Sequence, residues 1–177
     1  MDEKDNARLG RLIKELARGN GEALGDIARL IERILYAIGS YYFKNKADVE
    51  DAIQNLYVLL HEKASKFQSN KNACGWLIKL YENLIKSHLR KYKRDAKNTA
   101  DIEVFDNVPT KVDEQYIENY LFLREIFSKL SAYEYELVKL RFWCHYSIRD
   151  VARMLRRSKG SIENDLKKLK EKVKRMD

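Results

Sequence analysis

Pro109 is the one proline in this chain of 177 residues, and it lies in the one long stretch, about residues 97–112, whose apolar side chains follow no helical period. Elsewhere the period is that of a helix. Apolar residues recur at helical spacing in residues 7–18, 22–43, 49–64 and 76–92 before that stretch, and in 115–129, 133–143, 148–155 and 159–174 after it. No segment alternates as a strand does. The pattern predicts an all-α protein of two small helical domains, residues 1–95 and 114–177, joined by a flexible linker over residues 96–113. Asp101, Glu103 and Asp106 make that linker acidic between basic neighbours, and no further cation follows until Lys111.

Composition narrows the function classes. The excess of 35 Lys+Arg over 27 Asp+Glu, a net charge of +8, favours polyanionic partners such as nucleic acid. An apolar fraction of 45% is enough to bury a core despite that charge. The first residues are charged and no run approaches 18 apolar residues, which argues against secretion and membrane insertion and for a cytoplasmic protein. Cys74 and Cys144 lack CxxC spacing, so they read as buried or incidental thiols. His61, His88 and His145 are isolated, with no Gly-rich phosphate loop and no nucleophile elbow, so neither an enzyme nor a metal or cofactor site is expected. His88 falls on an apolar helix face, where a core histidine is expected.

Residues 76–94, WLIKLYENLIKSHLRKYKR, sort into two faces when wound at about 100° per residue. Leu77, Leu80, Tyr81, Leu84, His88 and Tyr92 share an apolar side, and Trp76, Lys79, Asn83, Lys86, Arg90 and Lys93 a cationic one. Such a helix docks on a core and offers a charged stripe to a phosphate backbone or simply to water. In residues 48–62, Val49, Ile53, Leu56 and Leu60 make the inward face, leaving Asp51, Gln54, Asn55, Val58 and Glu62 outward. An acidic, amide-rich face with one valine suits a protein partner.

The C-terminal segment reads as a helix-turn-helix. Ile148, Val151, Ala152 and Leu155 line a short helix, Arg156 and Arg157 follow, and Ser158 opens a longer helix buried through Ile162, Leu166, Leu169 and Val173. Ala152 is small enough to let the two helices cross closely. The second helix presents Lys159, Ser161, Glu163, Asn164, Lys167, Lys168 and Lys170, where cations suit phosphates while Asn164 and Glu163 suit adenine and cytosine edges. Ser131 with Glu134, and Ser147 with Asp150, have capping-box spacing; Ser158 is a third candidate cap.

In this order, DVEDAIQNLYVLLHEKASKF, WLIKLYENLIKSHLRKYKR, an acidic linker, LSAYEYELVKLRFW and YSIRDVARMLRRSKGSIENDLKKL, the chain resembles bacterial RNA polymerase sigma factors of the sigma-70 superfamily, extracytoplasmic-function group. The resemblance implies a region-two-like bundle and a region-four-like helix-turn-helix domain. It also implies that Asp51, Gln54, Asn55 and Val58 meet core RNA polymerase, with Asn55 standing where the family usually has Glu. The cationic face of residues 76–94, with a base pocket from the loop 69–74, would bind and open the minus-ten element of promoter DNA, and Trp76 would line that pocket or anchor the loop. The helix from Lys159 would read the minus-thirty-five element. Arg156 replaces the family's turn glycine, which predicts a reshaped turn, and Glu163 and Asp165 stand where basic residues are common. The family often has an anti-sigma partner. Two other functions use the same residues: a DNA-binding regulator that never engages polymerase, and a protein-interaction module with a degenerate DNA face.

Overall fold

The computed structural model describes residues 3–68, 72–98 and 125–176, with side chains to Arg90 in the middle stretch. Every regular element among them is helical. Helices α1 (Glu3–Ala17), α2 (Ala23–Tyr42), α3 (Lys46–Lys63) and α4 (Ala73–Asn98) form the first half, with one 3-10 turn at Ala64–Lys66. The second half has α5 (Ala132–Val138), a π-helical turn (Lys139–Trp143), α6 (Ile148–Met154) and α7 (Lys159–Lys174). Helix α4 continues through residues 96–98, which the aperiodic stretch had placed in the linker.

Leu9, Ile13, Ile27, Ile31, Leu35, Ile38, Leu56, Leu60, Leu77 and Tyr81 are wholly withdrawn from water at the centre of the first half. Burial at this density supplies most of the stability of helices that would be marginal alone. Gly39 is where α2 meets α3: a Cβ there would stand 2.4 Å from a Val49 methyl, so only glycine permits the approach. Asn45 starts α3 by accepting from the Ala47 N–H at 3.0 Å.

The second half is organised by its caps. Ser131 and Glu134 form the full reciprocal capping box. Ser147 accepts from the Asp150 N–H, but the Asp150 carboxylate takes the Ser147 hydroxyl rather than its amide, so this cap is not a box. Ser158 accepts from the Ser161 N–H at 3.2 Å and opens α7. Between α6 and α7, Arg156 holds φ +53° while the Arg157 N–H reaches the Ala152 carbonyl at 2.9 Å and the Arg156 N–H that of Arg153. That is a Schellman ending with arginine in the place usually given to glycine, so the turn keeps its left-handed geometry instead of being reshaped. Arg156→Gly relieves that strain and is expected to raise the stability of this half by about 1 kcal/mol, read as a higher denaturant midpoint at unchanged slope.

The two halves meet. The Glu82 side chain of α4, 6% exposed, receives both Lys139 Nζ contacts at 3.0 Å, the Tyr135 hydroxyl at 3.1 Å and the Tyr42 hydroxyl at 3.3 Å. Glu136 holds the same ammonium at 2.6 Å. Burial alone would lower the Lys139 pKa, yet the hydrogen bonds it donates to Glu136 and Glu82 outweigh it and raise it. Burial, then the Glu82 charge, pushes the Tyr135 and Tyr42 phenols well up, so both stay protonated as donors. Tyr41 stacks on Tyr135 with centroids 3.9 Å apart.

Cys74 and Cys144, read from the sequence as buried or incidental thiols, are both buried, and they face each other across this seam. A hydrogen bond with Cys74, followed by burial, raises the Cys144 thiol pKa. Cys74 Sγ also donates to the Trp143 carbonyl at 3.2 Å, and the Asn72 amide donates to that of Cys144 at 2.6 Å.

Candidate nucleic-acid interface

Three exposed faces collect the residues singled out from the sequence. On α3, Asp51, Gln54, Asn55 and Val58 all face solvent, while Val49, Ile53, Leu56 and Leu60 are buried. Val58 is 65% exposed, the most open large apolar side chain among the described residues. It opens onto a groove between α3 and α4, bordered by Asn55 and Glu62 on one wall and Asn83, Ser87 and His88 on the other.

On α4, Lys79, Asn83, Lys86 and Arg90 are exposed along one stripe. Arg90 Nε donates to the Lys86 carbonyl at 3.2 Å, which holds the guanidinium along the helix. The Lys93 side chain lies outside the described residues. Trp76 is not open like the cations: it is half-buried, with its ring centroid 5.2 Å from that of Phe67. Of the loop 69–74, residues 69–71 lie outside the described residues. Asn72 turns inward to the Gly75 N–H at 2.8 Å and to Cys144, and the Cys74 N–H donates to Asn6 at 2.9 Å.

The buried face of α4 departs from expectation. It is centred on Leu77, Ile78, Tyr81, Glu82 and Ile85, rotated by roughly 60° from the face expected at about 100° per residue. Leu80 and Leu84 are therefore only half-buried and line the groove, and His88 is exposed rather than in the core, its ring edge-on to Phe43 at 6.2 Å.

On α7, Lys159, Glu163, Asn164, Lys167, Lys168 and Lys170 are exposed and Ile162 and Leu169 are buried. Ser161 is not presented outward as expected: it is half-buried, and its hydroxyl reaches back to Asp165 at 3.5 Å. Asp165 also turns inward, accepting the Tyr133 hydroxyl at 2.6 Å, and burial together with that bond lifts the phenol to about 12. Its charge thus does not stand on the outer face. Glu163 does, paired with Lys159 at 3.5 Å. Arg157 lies over the Tyr133 ring at 4.9 Å, a cation–π contact that gives this arginine a packing partner. Phe142 and Met154 are further exposed apolar side chains, which periodicity alone left unassigned.

Among the described residues no helix is long and apolar enough to cross a membrane, and no cluster of His, Cys, Asp and Glu could hold a metal ion. What the three faces share is exposed charged and amide side chains on helices.

Comparison with known proteins agrees with that chemistry. Residues 27–95, from α2 through most of α4, match the family model described as Sigma-70 region 2. The chain is 22% identical over 165 residues to the ECF RNA polymerase sigma factor BldN of Streptomyces coelicolor, covering 91% of this chain and 62% of that protein. It is 25% identical over 174 residues to the ECF RNA polymerase sigma factor SigM of Mycobacterium tuberculosis, covering 98% of this chain and 85% of that one. The fold is similar to that of CnrH, solved in complex with the cytosolic domain of CnrY, with a TM-score of 0.58 at 17% identity over 94% of this chain and 95% of that one. Residues 27–95 thus match Sigma-70 region 2, and over nearly its whole length the chain is similar to extracytoplasmic-function sigma factors.

Proposed function

We propose that this chain is a sigma factor that binds core RNA polymerase through the outer face of α3, opens the minus-ten element along α4 and reads the minus-thirty-five element with α7. Residues 1–95 act as region two and residues 114–177 as region four. The observation that carries this reading is Val58, an open apolar side chain flanked by Asp51, Gln54 and Asn55 and sharing a groove with the α4 residue Asn83. A DNA-binding regulator has no use for such a protein-facing surface beside its DNA stripe. Asn55 in place of the family's Glu removes one charged contact and leaves the surface otherwise intact.

On α4, Lys79, Lys86, Arg90 and Lys93 track the backbone, with Asn83 beside them on the stripe. Trp76, packed on Phe67, anchors the loop that receives an extruded base. On α7, Lys159, Lys167, Lys168 and Lys170 hold phosphates, Asn164 and Glu163 read base edges, and Ser161 supports the helix start. The protein works in the cytoplasm, where polymerase is. A protein inhibitor that covers these faces, an anti-sigma factor, fits as a further partner, as the cytosolic domain of CnrY accompanies CnrH.

Run-off transcription with purified core polymerase and a promoter library tests the reading. Transcripts from one promoter class, dependent on added protein, are expected; DNA binding without transcription would instead favour the plain regulator. Glu163→Ala is expected to relax preference at a single upstream base pair, by about 1–3 kcal/mol of discrimination. A uniform rise in affinity across sequences would show that Glu163 only repels phosphate.

A further inference from the structure

The turn between α6 and α7 carries a strain that nothing inside the protein offsets. Arg156 stands there at φ +53°, in the left-handed region that disfavours a residue with a Cβ. The Schellman bonds that end α6 use backbone atoms alone, the Arg157 N–H to the Ala152 carbonyl and the Arg156 N–H to that of Arg153. They require the left-handed backbone and not the arginine side chain, and glycine or asparagine adopts that backbone with less strain. Strain of this kind, with no internal gain from the side chain, points to a ligand.

The charges around the turn narrow what that ligand is. Arg153 pairs with Asp150 at 3.3 Å, Arg157 lies over the Tyr133 ring, and Lys159 pairs with Glu163 at 3.5 Å. Arg156 is exposed, and among the described residues its guanidinium has neither a carboxylate nor a ring as partner. Of the four cations from Arg153 to Lys159, it is the one left to bind something outside the chain. A guanidinium is planar, always charged and rich in donors, which suits the oxygens of a phosphate. When the second helix of a helix-turn-helix lies in the major groove, the first crosses the backbone. The turn that joins them then stands at the rim of the groove, beside phosphates and away from base edges.

We propose that Arg156 is a phosphate-binding residue: its guanidinium holds one backbone phosphate of duplex DNA at the rim of the groove that α7 enters. The contact fixes position without reading sequence. It rests on the DNA-reading role proposed above for α7. Glycine would make the same turn and leave that phosphate without its cation.

Two variants separate the charge from the turn. Arg156→Asn keeps a residue that tolerates the left-handed backbone and removes the cation, whereas Arg156→Lys keeps the cation. Binding is measured for the full-length chain on a random-sequence duplex, and for the holoenzyme on a promoter duplex from the run-off library, between about 50 and 200 mM salt. Arg156→Asn is expected to lower the slope of log affinity against log salt by about 0.9, so that over this range the unmodified protein weakens about 3.5-fold more than the variant. The loss at fixed salt should be uniform across sequences, and Arg156→Lys should keep the unmodified slope. Arg156→Asn is also expected to raise the denaturant midpoint, so stability and DNA affinity move in opposite directions, as they would not for a purely structural arginine. An unchanged slope in Arg156→Asn overturns the proposal, and so does a slope lowered equally in Arg156→Lys. Weaker binding to core polymerase at an unchanged DNA slope would give the cation to a protein contact instead, which also overturns it. If Lys167→Ala with Lys168→Ala flattens the slope while Arg156→Asn does not, the α7 reading stands and only the role of Arg156 fails. If no form binds duplex in either setting, it is the α7 reading that fails, and the role of Arg156 with it.

Discussion

Val58→Asp is expected to weaken binding to core RNA polymerase by about a hundredfold while leaving the fold untouched. The side chain is 65% exposed on α3, so nothing in the bundle depends on it. Burying a valine in a partner contributes about 1.5–3 kcal/mol, and placing an unpaired carboxylate at the same contact adds a desolvation cost of similar size or more. Together these exceed about 3 kcal/mol, which corresponds to roughly two orders of magnitude in Kd. Asp51→Ala with Gln54→Ala removes only rim polar contacts and is expected to cost less, about tenfold. The measurement is competition for core polymerase against a labelled reference sigma factor, with helical circular dichroism as the folding control. Full binding by Val58→Asp would remove α3 as the polymerase face and leave the exposed Phe142 and Met154 as the apolar surfaces to examine.

Which parts of this molecule were legible in its sequence follows from what a single helix can encode. In α3, Val49, Ile53, Leu56 and Leu60 were expected inside and are inside, because i, i+4, i+7 and i+11 spacing is a property of one helix alone. Helix α7 spans residues 159–174, the limits of its apolar period, because a serine cap marks its start and Leu169 and Val173 carry the period to its last turn. Arg156 was legible as a left-handed turn residue, though not as one that keeps a Schellman geometry.

The misses are all long-range. Glu82 looks like an ordinary solvated residue between Tyr81 and Asn83, and nothing local announces a lysine 57 positions away. Once that partner is present, the buried face of α4 turns toward Ile78, Glu82 and Ile85, and His88 is left at the surface. Cys74 and Cys144 likewise carry no spacing signal, since their contact is created by the docking of two halves. Asp165 read as a charge facing DNA because helical period does not reveal that Tyr133, on another helix, takes its carboxylate inward. At the candidate interfaces, the faces were therefore readable, and so was an anchoring role for Trp76, while Ser161 and Asp165, recruited to packing, were not.

Removing Lys79 and Lys86 together is expected to flatten the salt dependence of promoter binding by the holoenzyme. Both are exposed, and among the described residues neither is paired with a carboxylate, so their charges are available to phosphate. Each lysine–phosphate pair removed changes the slope of log affinity against log salt by about 0.9 on duplex, or about 0.7 on single strands. For two such pairs the change is about 1.8 or about 1.4. Between about 50 and 200 mM salt the unmodified protein should then weaken by roughly 7 to 12 times more than Lys79→Ala with Lys86→Ala. The value distinguishes the two DNA states: a slope change near about 1.4 places the stripe on melted strand, and one near about 1.8 on duplex. Because Asn83 lies between the two lysines and carries no charge, Asn83→Ala should alter affinity without moving the slope. An unchanged slope in the double variant would mean that DNA does not follow the α4 stripe, and would shift the positive charge that binds it to the α7 face of Lys167, Lys168 and Lys170.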